Sequence, residues 1–133
     1  MNLSLHSPRG PAMEYTSRVH KQSKSCAGVE FTVARLSLAR RIELGQRIRE
    51  IGFKHDFLAA SKNVMDQIDA GLLQRKIDRT YLEWGLLGIK GLKIDGADAT
   101  PGSLIEYGPE DLVKEILAAI RVELQLSEEE LKN

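Results

Sequence analysis

Large apolar residues recur every three to five positions between residues 63 and 88. Val64, Ile68, Leu72, Ile77, Tyr81, Trp84 and Leu87 make the series, and Asp66, Gln67, Gln74, Lys76, Asp78 and Arg79 occupy the opposite side. This spacing is close to the stripe that an amphipathic helix buries. It predicts a central helix, capped by Ser61 or Asn63, against which the rest of the chain packs. Gly85, Gly88 and Gly91 predict that its end frays or turns. Upstream the period drops to two. Val29, Phe31 and Val33 alternate with Glu30, Thr32 and Ala34, the pattern of a half-buried strand over 29–36. Residues 14–19 and 92–94 are its candidate partners.

Between the strand and the central helix, Ser37 is placed to cap a helix that carries Leu38, Ile42, Gly45, Ile48 and Ile51 on one face. Gly52 is a C-terminal stop signal, so a second short helix is expected over 53–61. Beyond the central helix, Leu92 and Ile94 form a short extended pair and Asp95-Gly96 signals a turn. Thr100-Pro101 opens a short helix as cap and first residue. Gly108-Pro109-Glu110-Asp111 opens a longer one, with two carboxylates favoured by the helix dipole. Its face is Leu112, Ile116, Ala119, Ile120 and Leu124, over about 109–124. Ser127 with Glu130 has capping-box spacing and predicts a further helix start.

Residues 1–28 are rich in Ser, Pro and Gly and poor in large apolar side chains. Such a segment buries too little surface to offset its ordering entropy, so it reads as a flexible N-terminal tail. Met13 is a candidate alternative start. The expected class is mainly α: a single small helical domain over 29–133 with one short N-terminal β element. At 133 residues the chain is long enough to fold without disulfides or metal. Its one cysteine, Cys26, cannot form an internal disulfide, which suits a reducing cytoplasm. No apolar run approaches the roughly 20 residues of a membrane span.

Net charge is zero but unevenly placed. Residues 35–54 hold six basic and two acidic groups, whereas residues 95–133 hold three basic and ten acidic ones. The two regions are able to attract each other within the fold or across an interface. The zero balance argues against a dedicated nucleic-acid binder. Arg40, Arg41, Arg47 and Arg49 spread around their helix, with no interleaved aromatic residue for base stacking. A DNA-binding regulator is therefore the third-ranked reading.

No catalytic constellation emerges. His6, His20 and His55 are scattered, and with one cysteine they make no structural-zinc spacing. His55-Asp56 are helix neighbours that do not face each other. The run Glu128–Glu129–Glu130 reads as a solvated helix start. No phosphate-binding or nucleophile-elbow motif is present. Trp84 and Tyr81 lie one turn apart and read as core, with interface anchors as the alternative. No enzyme activity and no cofactor are expected.

Several segments carry a family resemblance. They are V-x-F-x-V from Val29, S-x-x-R-R-x-E-L from Ser37 and Y-L-E-W-G-L from Tyr81. G-L-x-I-D-G-x-x-A-T from Gly91, G-P-E-x-L-x-x-E-I from Gly108 and the closing residues 126–133 complete the set. Over residues 29–133 the chain resembles the tail assembly chaperones of long-tailed bacteriophages. The resemblance implies a non-enzymatic protein of the host cytoplasm that binds the tape-measure protein and helps tail-tube subunits polymerise around it. It also implies possible self-association and a longer, frameshifted form, which would fit a chain that ends just after a helix start. The resemblance names no partner-binding residue. The alternative is a small structural virion component, such as a head–tail joining or tail-terminator protein.

Overall fold

Val29, Phe31 and Val33 do face inward, and the strand they build is the middle one of three. The structure is a computed structural model describing residues 12–132, with side chains described as far as Gln125. β1 (Arg18–Gln22), β2 (Glu30–Ala34) and β3 (Leu86–Lys90) form an antiparallel sheet in the order β1-β2-β3. The register sets Val19 opposite Val33 and Phe31 opposite Ile89, with an irregularity between Thr32 and Val33. A two-residue turn at Asp95 and Gly96 joins β4 (Lys93–Ile94) to β5 (Ala97–Asp98). Both turn residues have positive φ, 52° and 84°, as the Asp-Gly signal requires.

Four helices stand with the sheet among the described residues. α1 (Leu38–Ala59) and α2 (Val64–Gly85) form an antiparallel hairpin of two 22-residue helices. At 1.5 Å per residue each is roughly 33 Å long. The expected caps are in place: the Ser37 side chain accepts from the Arg40 amide, and that of Asn63 from the Met65 and Asp66 amides. α3 (Pro101–Tyr107) begins with Thr100 and Ser103 capping each other. α4 (Glu110–Lys132) lays Leu112, Ile116 and Ile120 against β2 and the end of α2. These three, with Leu104 and Val33, are fully buried and centre the core. Trp84 is 3% exposed and belongs to it.

The mainly helical class with a small sheet holds, but several finer expectations are corrected. Residues 18–28, expected as tail, form β1 and its turn, so there is more than one short β element. β1 buries only Val19 in part; edge-strand hydrogen bonds to β2 hold it, and these leave no apolar signature. Tyr15 and Ser17 are tied down as well. The Arg35 amide donates to the Ser17 carbonyl at 3.0 Å, and the Arg35 guanidinium lies 5.6 Å from the Tyr15 ring centre. The part of the expected tail before residue 12 lies outside the described residues. α1 runs unbroken through Gly52, because the pairing with α2 outweighs one glycine. The backbone of α4 likewise runs through Ser127, so no new helix starts there. The central helix ends at Gly85 and passes directly into β3, which is a strand where fraying was expected.

The apolar series of the central helix proves to be two stripes. The five-residue step from Leu72 to Ile77 carries the series roughly 140° around the helix. Ile77, Tyr81 and Trp84 pack inward, whereas Val64, Ile68 and Leu72 stay exposed. α1 is corrected in the same way. Leu44 is buried and Ile48 packs on the core, whereas Leu38 and Ile42 face outward.

Candidate functional site

α2 lies between α1 on one side and α3 and α4 on the other. α1 follows its full length, but α3 and α4 cover only its second half. The uncovered first half carries Val64, Met65, Ile68 and Leu72, each more than half exposed. At successive helical turns these residues make one apolar track. The track leads into an open groove of about 720 Å³ between the far half of the hairpin and the start of α4. Leu72, Leu73 and Leu82 supply the α2 wall, Ile105 comes from α3, and Val113 and Leu117 come from α4. Leu58 of α1 closes the outer end.

Charge lines the rim. Lys54, Arg75 and Lys76 border the groove without an ion-pair partner among the described residues. Asp69 also lines the groove without an ion-pair partner among the described residues, and the remaining rim charges are engaged. Arg79 binds Glu106 at 2.5 Å and Glu83 at 3.5 Å, and these carboxylates raise its pKa. Asp78 accepts from Arg121 at 2.7 Å and from Gln74 at 3.0 Å. Lys114 pairs with Glu110 at 3.4 Å. The pairs Arg79–Glu106 and Asp78–Arg121 link α2 to α3 and α4, fixing the groove's width. An apolar floor with an unpaired basic border suits an amphipathic helix with acidic flanks.

The residues singled out in the sequence lie elsewhere. Trp84 and Tyr81 belong to the core side of α2. The Arg40 guanidinium stacks 4.7 Å from the Trp84 ring centre and donates to the Trp84 carbonyl at 2.7 Å. It therefore satisfies one of the open carbonyls at the end of α2. Arg47 pairs with Glu43 at 2.9 Å, and Arg35 meets Glu123 at 3.7 Å. Of the four arginines singled out, Arg40 and Arg47 therefore have separate roles within the fold, whereas Arg41 and Arg49 have no ion-pair partner among the described residues. His20 Nδ1 stands 2.7 Å from Thr32 Oγ1 across the sheet, and His55 stands 3.3 Å from Asp56 at the surface. His6 and the side chains of Glu128, Glu129 and Glu130 lie outside what the structure describes. Among the described residues no polar or charged residue is buried, and no group of three His, Cys, Asp or Glu is placed to hold a metal ion.

One polar constellation was not legible in the sequence. Glu115 on α4 accepts from the Ser23 hydroxyl at 2.6 Å, the Lys24 amide at 2.7 Å and the Ser25 hydroxyl at 2.7 Å. The Lys24 amide first, then the two hydroxyls, hold its pKa at about 2. The carboxylate clamps the β1–β2 turn to α4, next to Cys26. The groove itself was hidden by reading the apolar series of α2 as a single buried stripe. The 140° step was the signal that could have exposed it.

No protein-family model matches the chain, and neither a curated protein nor a solved structure matches it.

Proposed function

We propose that the chain is a non-enzymatic assembly chaperone that holds an apolar helix of a client protein in the groove beside α2. The client class is the long helical tape-measure protein of a phage tail, as the resemblance implies, and the chaperone would act in the host cytoplasm while tail-tube subunits assemble. One observation carries the reading: the uncovered track Val64, Met65, Ile68 and Leu72, continuous with the apolar groove floor. Isolated exposed apolar side chains are ordinary, but a contiguous track rimmed by charge marks an interaction surface. The unpaired Lys54, Arg75 and Lys76 favour a client whose apolar stripe is flanked by carboxylates.

Co-expression with a long helical tape-measure protein, the proposed client class, tests the reading. The chain should keep that protein soluble, co-purify with it and be missing from finished particles. Ile68→Glu with Leu72→Glu should abolish co-purification while leaving the melting temperature within a few degrees of wild type, because both side chains are exposed. Finding the chain at fixed stoichiometry in finished tails would instead support the structural-component alternative.

A further inference from the structure

A second apolar surface lies on the outer side of α1. Leu38, Ile42, Phe53 and Phe57 are 77%, 55%, 72% and 79% exposed. They line one face of the helix together with Gly45 and Arg49, about half a turn from the Leu44 and Ile48 face that packs inward. This surface is separate from the groove, and the inference does not rest on the client reading.

The stripe is nearly its own mirror in sequence. Reversing α1 about the midpoint between Arg47 and Ile48 exchanges Leu38 with Phe57, Ile42 with Phe53, and Gln46 with Arg49. An isologous two-fold contact requires this self-complementarity, since residue i must meet residue j while j meets i. Gly45 lies beside the midpoint, and the space where its Cβ would stand is open for 4 Å, so a second helix is able to approach closely there. Charge agrees with the same register. Arg49 and Glu50 have no ion-pair partner among the described residues, and the reversal brings each Arg49 level with Gln46 of the second copy, one turn from its Glu50.

The area is adequate. At roughly 150 Å² for each exposed phenylalanine and somewhat less for Leu38 and Ile42, the four side chains present on the order of 500 Å² per copy. The stems of Arg49 and Gln46 bring this towards the roughly 800 Å² per partner of a standard interface. We infer that two copies of this chain pair through the outer faces of α1, antiparallel, with Leu38 against Phe57 and Ile42 against Phe53 of the second copy. The two grooves then lie on the far sides of the paired hairpins and remain open.

Sedimentation of the full chain from about 1 µM to about 100 µM should show a reversible monomer–dimer equilibrium in the micromolar range. Ile42→Glu or Phe53→Glu alone should abolish the dimer, because symmetry places each carboxylate in the interface twice. The groove variant Leu72→Glu should leave the dimer intact. In a Cys26→Ser background, mixing Leu38→Cys with Phe57→Cys chains should give an intermolecular disulfide. Leu38→Cys alone should not, since two copies of position 38 stand roughly 28 Å apart along the pair. A monomer across the whole range, a dimer that survives both glutamate variants, or equally ready cross-linking of Leu38→Cys to itself would overturn the inference.

Discussion

At the scale of single residues, burial was more legible than polar pairing. Trp84 is the chain's one tryptophan and falls on the helical period, and that was enough to place it in the core. Trp84→Ala should cost about 3–5 kcal/mol, read as a loss of urea midpoint at unchanged slope. Its partner could not be foreseen, because Arg40 lies 44 positions away. Arg40→Ala removes a charge-assisted bond to the Trp84 carbonyl and the stacking above its ring, and should cost about 1.5–3 kcal/mol. Arg40→Lys should recover only part of that, since an ammonium does not stack as a planar guanidinium does. The Glu115 clamp spans still more of the chain. Its folded-state pKa, about 2, lies below the ordinary 4.5, so its contribution to stability is complete above about pH 4.5 and is lost as pH falls towards 2. Glu115→Gln should therefore flatten the decline in melting temperature across that window; an unchanged acid limb would mean that the clamp does not contribute.

At the scale of elements, local signals fixed most starts and misplaced several ends. Ser37, Asn63 and Thr100 cap helices as read, because capping needs only the residue and its next three neighbours. Gly52 and Ser127 resemble boundaries by the same local criteria, yet both lie inside long helices. In α1 the explanation is tertiary: Leu44 and Ile48 on one side of Gly52 and Leu58 on the other share the inward side of the hairpin. Gly52 has open space around its missing side chain, so Gly52→Ala should stabilise the protein by about 0.5–1 kcal/mol. A decrease in thermal stability would show that α1 needs to bend there. β1 illustrates the opposite failure, since an edge strand with one half-buried valine shows no apolar alternation to read.

At the scale of the whole molecule, the helical class and the core face of α4 were readable, but the uncovered surfaces were not. A stripe on a helix shows that a face is apolar and leaves open whether the protein itself covers it. Here both hairpin helices carry two apolar faces, one inward and one outward. The fold also shifts the start of the ordered body towards the N-terminus. Limited proteolysis should spare the β1–β2 turn, although Lys21 and Lys24 are exposed there, because Glu115 and the sheet hold it; early cleavage after Lys24 would contradict that arrangement. Acidic α4 meets the basic region directly at Arg35–Glu123, so part of the charge segregation seen in the sequence is used within the fold. We assign the remaining basic rim of the groove, Lys54, Arg75 and Lys76, to the proposed client, since these have no ion-pair partner among the described residues. Amide hydrogen exchange with and without the long helical client measures that assignment directly. Client binding should slow exchange over residues 64–73 and at the start of α4, around Val113 and Leu117, while the outer face of α1 stays unchanged. A client that binds without protecting either groove wall would contradict the account.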